Sequence, residues 1–187
     1  MNTKASQQLR EEHEGIHIML QIMEAMRKQA RNSGHLDKAH FAAILDFLKG
    51  FVDHCHHAKE EELLFPALEA AGVAKDGGPI GMMLHEHALG RTLVKALGES
   101  FAELSGNVDK SALKGISRNV QEYISLLSEH ILKENGILFD MADHMLSEMQ
   151  QKELQDGFER IETERVGEGK HEAFHKLIHT LNDVYLS

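Results

Sequence analysis

The sequence predicts an all-α protein, and three observations support this prediction. The 187-residue chain has only two prolines and is rich in Leu, Met, Ala, Glu, Lys and Gln, which are good helix formers. Alternating runs of Val, Ile and Thr, typical of strands, are absent. Apolar residues instead recur at steps of three and four, as on the buried face of a helix. The length suits one domain with a full core.

The apolar stripes predict four long helices and two further helical segments. The predicted spans are 6–31, 37–71, 79–104, a fourth helix with a stripe from Ile116 to Met141, 147–166 and 170–186. Glycine-containing breaks separate the first four helices, at Asn32-Ser33-Gly34, at Gly72 and at Ser105-Gly106-Asn107. The last two segments are too short for a separate domain. We therefore expect residues 1–145 to form the main unit and residues 146–187 to pack on it or make an oligomer contact.

Composition excludes several classes of partner and location. The chain has 20 basic and 30 acidic residues, a net charge of −10, which argues against nucleic acid because phosphate binding needs a clustered basic face. No apolar stretch approaches the ~18 residues of a transmembrane helix. The first residues lack the apolar core of a secretory signal. A single cysteine, Cys55, suits a reducing compartment, so we expect a cytoplasmic protein.

The most informative stretch runs from His54 to Leu68 and reads HCHHAKEEELLFPAL. Three histidines fall within four residues, and three glutamates follow. On a helix, His56 lies one turn from Glu60, and His57 lies one turn from Glu61. An imidazole and a carboxylate presented from one helix face are ligand types that zinc, iron and manganese accept. The stretch therefore predicts half of a metal site.

Two arguments favour His56 and Glu60 over their neighbours. The segment EHILKENGILFD, residues 129–140, repeats the first stretch in weaker form and aligns His56 with His130 and Glu60 with Glu134. The inner stripe of the second helix also passes through the chosen pair: Leu45, Leu48, Val52, His56, Glu60, Leu63, Ala67. The fourth helix has an equivalent stripe: Ile116, Val120, Tyr123, Leu127, His130, Glu134, Ile137, Met141. We expect His54 and His57 to face outward or to lie behind the ligands.

Other histidines complete the candidate site. His13 lies in the apolar stripe of the first helix, and His17 lies at its edge as a further ligand candidate. On the third helix, His85 and His87 point about 200° apart, so only one can face the axis, and periodicity leaves the choice open. On the last helix, His171, His175 and His179 lie one turn apart. We expect a solvated face there, with a second metal site as the alternative.

Four inward histidines and two glutamates exceed the needs of one tetrahedral zinc ion. They suit two metals of five- or six-fold coordination with bridging glutamates, held in a helical core. A set of imidazole and oxygen donors without thiolate favours iron, then manganese, with zinc less favoured.

These residues resemble those of hemerythrin-like proteins with the HHE cation-binding domain. The resemblance covers about Leu9 to Met141 and rests on EEHEGI, HHAKEEELLFPAL, GGPIGMMLHEHALGR and EHILKENGILF. It implies an up-down-up-down four-helix bundle that holds two iron ions with oxo or hydroxo and carboxylate bridges. It also favours His87 over His85. The implied metal ligands are His13, His56, Glu60, His87, His130 and Glu134.

The resemblance implies that the centre interacts with a small molecule such as O2, NO or peroxide. Members of the family bind O2, sense O2 or redox state, handle NO or peroxide, or help repair iron–sulfur clusters. Two departures argue against simple O2 carriage: Arg91 stands where carriers place a second imidazole, and Glu134 stands where they use aspartate. We therefore expect a binding or sensing protein linked to iron or to oxidative or nitrosative stress. A di-iron oxidoreductase and a structural zinc or manganese bundle are the alternatives.

Overall fold

The computed structural model describes residues 4–104, 110–167 and 169–187, and these ranges are predominantly helical and contain no strand. The six helices, numbered in chain order, are α1, Ala5–Ser33; α2, residues 38–70; α3, Pro79–Ala102; α4, residues 110–145; α5, residues 148–166; and α6, Lys170–Tyr185. The all-α prediction is confirmed. The predicted break at Ser105-Gly106-Asn107 lies outside the described residues.

Residues at the helix ends behave as their chemistry predicts. Gly34 follows α1 with φ 71°, and its N–H donates to the carbonyl of Ala30. Such a left-handed residue at a helix end is best occupied by glycine, which has no Cβ. Gly72, with φ 101°, follows α2, and Pro79 opens α3. Ser147 begins α5 with a reciprocal capping box to Gln150.

Helices α2 and α4 both contain π-helical turns. In α2, Leu48–His57 and Glu60–Leu64 are π-helical, and in α4 the turn Glu134–Leu138 is. Each of the two short turns closes with a hydrogen bond across five residues, from Phe65 N–H to the Glu60 carbonyl and from Phe139 N–H to the Glu134 carbonyl. Such turns hold about one residue more than an α-turn and rotate the following chain by about 100°.

This rotation changes which residues face inward. Buried positions recur at every fourth residue along both helices: Leu48, Val52, His56, Glu60, Leu64, Leu68, and likewise His130, Glu134, Leu138, Ala142. The three-four alternation that we extended past Glu60 and Glu134 is therefore wrong. Leu63, Ala67 and Met141 are half-buried, and Ile137 is 49% exposed.

The apolar core forms two clusters. One contains Met19, Phe47, Leu97 and Val120 among its buried members, and the other contains Leu9, Leu64, Met83, Leu138 and Phe139. Each of the first four helices passes from one cluster to the other through its predicted ligand positions. The fold thus surrounds the polar residues with apolar layers on both sides.

The C-terminal helices pack on the others. Phe174 of α6 contacts the rings of Phe47 and Phe51, with centroids 5.6 and 5.9 Å apart. A Cβ on Gly50 would lie 2.9 Å from Phe174 Cζ, so this close approach requires glycine. Phe158 of α5 is fully buried in the second cluster. In the described part of the chain, no helix combines the length and the apolar character needed to cross a membrane.

Candidate metal centre

The structure brings all six predicted ligand residues into one buried cluster. Each of them has at most 1% of its surface exposed: His13, His56, Glu60, His87, His130 and Glu134. On α3, His87 faces inward and His85 is exposed, so the choice made from the resemblance agrees with the fold. His17 is exposed and lies outside the cluster, which removes it as a candidate ligand.

The imidazoles converge in two pairs. The Nε2 atoms of His13 and His56 lie 2.9 Å apart, and those of His87 and His130 lie 3.1 Å apart. Glu60 spans the pairs, with Oε1 3.6 Å from His56 Nε2 and Oε2 3.4 Å from His87 Nε2. Glu134 does the same, because its Oε2 lies 3.3 Å from His13 Nε2 and 3.2 Å from His130 Nε2.

A second layer of polar residues fixes the ring orientations. Each Nδ1 meets an oxygen: Asn135 Oδ1 at 2.9 Å from His13, Glu12 Oε2 at 2.8 Å from His56, Glu61 Oε1 at 2.7 Å from His87, and Glu86 Oε2 at 3.0 Å from His130. These oxygens accept hydrogen bonds, so each Nδ1 must carry the hydrogen. In a neutral imidazole the other nitrogen then has a free lone pair. All four Nε2 lone pairs therefore face the centre.

This arrangement fits two cations. Two lone pairs that face each other at 2.9 or 3.1 Å repel, and all four carboxylate oxygens of Glu60 and Glu134 lack a hydrogen-bond partner among the described residues. Burying unpartnered carboxylates is costly. Adjacent ligands at a metal with bonds of about 2.1 Å lie about 3 Å apart, close to the observed nitrogen spacing. A cation within each pair would remove both costs.

Two sets of ligand atoms lie close enough to hold a metal. One set is His13, His56, Glu60 and Glu134, and the other is His57, Glu60, His87 and His130, with the ligand atoms of each set within 4.8 Å of one another. Glu60 belongs to both sets, as a bridging ligand would.

His57 is the residue that the sequence analysis missed. The expectation that it faces outward is wrong, because it is only 4% exposed and its ring stacks on His87 at 3.8 Å. Both of its ring nitrogens lack a hydrogen-bond partner among the described residues. The π-helical turn over Leu48–His57 brings His57 inward beside His56. The sequence carries a signal of this wider turn, because the inward residues recur at every fourth position from Leu48 to Leu68. This spacing is longer than the 3.6-residue period of an α-helix. His54 is exposed, as predicted.

The site repeats itself with a constant offset. Five polar residues of the site on the first two helices have an identical counterpart 74 residues later: Glu12 and Glu86, His13 and His87, His56 and His130, Lys59 and Lys133, Glu60 and Glu134. In both copies the lysine and the outer histidine nitrogen bind the same glutamate, Glu12 or Glu86. The repeat recognised between helices two and four thus extends to helices one and three.

The two halves differ in the groups behind His13 and His87. His13 meets the neutral amide of Asn135, whereas His87 meets the carboxylate of Glu61, which also binds Arg91 at 2.7 Å. Burial opposes ionisation, yet the nearby carboxylate of Glu134 and the hydrogen bond with Glu61 raise the pKa of His87 above its ordinary value. The His87 half is therefore the more strongly polarised of the two.

Buried charges shape the protonation of the centre. Burial, and then the charge on Glu134, raises the pKa of Glu60 well above its usual range. Burial lowers the pKa of His56 to about 4, so this ring is neutral near pH 7 and its Nε2 can donate to a metal. Positive ions between these groups would hold both carboxylates ionised.

A third acidic cluster, formed by Glu12, Glu162 and His171, already contains a cation. The Lys59 ammonium binds Glu12 and lies 2.5 Å from Glu162 Oε1. This ammonium neutralises the cluster, so it does not need a metal. On the same last helix, His175 and His179 are exposed, in agreement with the expected solvated face.

Family comparison identifies the domain. The model of the hemerythrin HHE cation binding domain matches residues 4–142. The chain belongs to the hemerythrin HHE cation-binding family. The matched range includes every member of the buried histidine and glutamate cluster, and this cluster fits a metal site.

Curated relatives of this hemerythrin-domain chain are iron–sulfur cluster repair proteins named YtfE. The protein from Musicola paradisiaca is 29% identical over 126 residues, which cover 67% of this chain and 54% of the relative. Those from Edwardsiella ictaluri and Yersinia pestis are each 34% identical, over 54% and 56% of this chain and 46% and 45% of their own lengths. The chain spans about half the length of these relatives. No solved structure matches it significantly.

Proposed function

We propose that the chain is a non-haem di-iron protein of the hemerythrin type. The single observation that carries this proposal is the convergence of four Nε2 lone pairs on four buried, unpartnered carboxylate oxygens. The proposed ligands are His13, His56, Glu60, His87, His130 and Glu134, with His57 as a seventh. The absence of thiolate from this donor set supports iron over zinc, with manganese second.

The proposal includes the arrangement of the chain around the centre. Helices α1 to α4, within residues 1–145, form an up-down-up-down bundle, and residues 146–187 form an extension on its surface. Contacts of α1 and α3 with α4, and of α6 with α1, support this arrangement. Cys55 is buried, and burial raises the pKa of its thiol to about 12. This thiol is therefore unreactive, which suits a cytoplasmic protein.

Different residues of this chain have different roles at the proposed centre. Two bound iron ions would supply a Lewis-acidic, redox-active pair for a small ligand such as O2, NO or peroxide. Glu60 and Glu134 would hold the ions and offset their charge, and Glu12, Glu61 and Glu86 orient the imidazoles of His56, His87 and His130. The apolar clusters on both sides limit the access of water. The centre thus binds or senses a diatomic ligand or redox state, in a role linked to iron or to oxidative or nitrosative stress.

A second candidate function is an oxidoreductase role, either iron–sulfur cluster repair or turnover of peroxide or NO. The iron–sulfur cluster repair role named for the YtfE relatives favours repair. Arg91 also favours this class over O2 carriage, because a guanidinium has no lone pair for a metal. Arg91 instead binds two carboxylates at the edge of the site, those of Asp53 and Glu61.

Metal analysis and visible spectroscopy of aerobically purified protein test the proposal. We expect about two irons per chain and charge-transfer bands, because six or seven ligands exceed one ordinary site. One metal per chain, or zinc without such bands, would contradict the di-iron assignment. Reduction followed by O2, NO or peroxide then separates the two functions. A binding protein forms a stable, reversible spectrum, whereas an oxidoreductase consumes the added ligand over many turnovers.

A further inference from the structure

A cavity of about 440 Å³ lies between α2 and α3, beside the proposed centre. Its apolar wall includes Leu48, Val52, Val94, Ala102 and Tyr123. Gly90 and Gly98 also line the cavity. A Cβ at Gly90 or Gly98 would meet no atom nearer than 4.0 or 3.8 Å, so a side chain there would extend into the open space of the cavity. Small-molecule sites typically measure 300–1,000 Å³ and are mostly apolar. A diatomic gas, which is comparable in size to one water molecule, would leave most of this cavity unfilled.

His57 adds a polar group to the wall of the cavity. His57 lines the cavity and is only 4% exposed. Neither of its ring nitrogens has a hydrogen-bond partner among the described residues. The proposed metal can engage only one of the two nitrogens. Asp53 Oδ1 is 3.6 Å from His57 Nδ1, too far for a hydrogen bond, and this carboxylate is already bound by Arg91. A polar group therefore remains unsatisfied at the cavity wall.

The charges around the cavity indicate an anion. Its lining includes Lys49, Arg91 and Lys95 against Asp53 and Glu99, an excess of positive charge on a chain of net charge −10. Arg91 is committed to Asp53 and Glu61. Lys95 lies 3.8 Å from Glu99 in a highly exposed pair, which contributes little.

Within the part of the chain that the structure describes, Lys49 supplies a positive charge without an acidic partner. Its side chain reaches from α2 toward α3, and its Nζ lies 3.8 Å from the position that a Cβ of Gly98 would take. Among the described residues, no acidic group forms an ion pair with Lys49. An ammonium without a partner at the edge of an apolar cavity is suited to a carboxylate whose hydrocarbon part enters the cavity.

The geometry points to a binding site for a small amphipathic carboxylate between α2 and α3, with its head group at Lys49 and Lys95 and its apolar body against Val52 and Val94. This carboxylate site rests on the proposed function only in that its ligand would lie next to the metals. The cavity itself, its lysines and its glycines are independent of metal identity.

Calorimetric titration of the metal-containing protein with octanoate tests the inference. We expect saturable one-to-one binding and at least roughly tenfold weaker binding of octanol, which has the same tail without the charge. Replacing Gly98 with alanine should weaken octanoate binding, and Gly98→Leu should abolish it, because the added carbons enter the cavity. Lys49→Glu should weaken binding by roughly tenfold or more. Lys176→Glu, an exposed charge change on α6, is the matched control and should leave binding unchanged.

The outcomes separate this inference from the proposed centre. Metal content and thermal stability are measured on every sample. Octanoate that does not bind wild-type protein with its metal intact overturns the cavity assignment, and so does equal binding by wild type and a folded Gly98→Leu variant. Equal affinity for octanoate and octanol removes the anion assignment. Protein that binds octanoate with the expected mutational pattern but holds no metal instead overturns the proposed centre and leaves the cavity assignment standing.

Discussion

Neighbouring glutamates in the same helix have different roles at the centre. Glu60 is fully buried between the two imidazole pairs and has no hydrogen-bond partner among the described residues. Glu61 is half-buried, lies behind His87 and is shared with Arg91. Although burial opposes it, hydrogen bonds from His87 and Arg91 lower the pKa of Glu61, so this group stays ionised. One residue position thus separates a proposed bridging ligand from an orienting group.

We predict that Glu60→Ala empties the centre, whereas Glu61→Ala retains metal with affinity lower by roughly 10–100-fold. A missing bridge leaves two cations without compensating charge, while a missing orienting group only weakens one imidazole ligand. Metal content after dialysis against graded chelator concentrations measures both effects. Retention of both metals in Glu60→Ala together with their loss in Glu61→Ala would reverse the assigned roles.

His57 should have opposite effects on the two states of the protein. Its counterpart 74 residues later is Ile131, which is also buried. We predict that His57→Ile stabilises the metal-free protein by about 1–3 kcal/mol, because a buried polar group without partners is removed. The same variant should lose metal at lower chelator concentration, because one imidazole ligand is gone. Urea denaturation of the metal-free protein and chelator titration of the loaded protein give the two readings, and unchanged metal retention would exclude His57 as a ligand.

At the scale of helices, sequence patterns predicted the ends of elements better than their inner faces. Gly34, Gly72, Pro79 and Ser147 mark ends because their local chemistry decides the backbone there. The inner face beyond Glu60 and Glu134 could not be read from a three-four alternation, because it depends on which carbonyl each N–H reaches. A hydrogen bond across five residues has no side-chain signature here beyond Pro66, which lacks the N–H that an α-turn would use. The error on His57 follows from the same cause.

The π-turn in α4 allows a direct test by deletion. Gly136 is exposed within Glu134–Leu138, and a Cβ there would meet nothing within 4 Å. Deleting Gly136 should convert the π-turn to an α-turn and keep Leu138 buried, at a cost below about 2 kcal/mol. Deleting exposed Gln121, in the α-helical part, should instead rotate His130 and Glu134 away and cost more. Thermal denaturation followed by circular dichroism ranks the two deletions, and equal destabilisation would argue against an extra residue in the turn.

At the scale of the whole molecule, burying the centre makes the metal-free fold sensitive to acid. Burial lowers the pKa of His56 to about 4 from an ordinary value near 6.5. Although burial opposes the shift, His56 and Lys59 lower the pKa of Glu12 to about 2. In both cases the unfolded chain binds the proton at a higher pH than the folded chain. These two groups therefore lower the free energy of unfolding as the pH falls, whereas the raised pKa values of Glu60 and His87 act in the opposite direction.

We predict that the metal-free protein loses about 3 kcal/mol of stability through His56 between pH 6.5 and pH 4. A further loss through Glu12 should follow between pH 4.5 and pH 2. Urea denaturation at a series of pH values measures the slope. His56→Leu should flatten the upper window, and the exposed His17→Gln variant should leave it unchanged. A stability that rises on acidification from pH 6.5 would contradict the sign of the effect.

The constant offset of 74 residues has a consequence for the origin of the chain. A helical hairpin with Glu and His on its first helix and a His-Lys-Glu face on its second supplies half of the cluster. Two copies related by a twofold axis would complete it, as in an isologous dimer. Duplication and fusion of the gene for such a hairpin would account for the spacing and would free the copies from the need to be identical. Among the positions that differ are His57 against Ile131, Glu61 against Asn135 and Arg91 against His17. His57 and Arg91 line the cavity, and Glu61 binds Arg91.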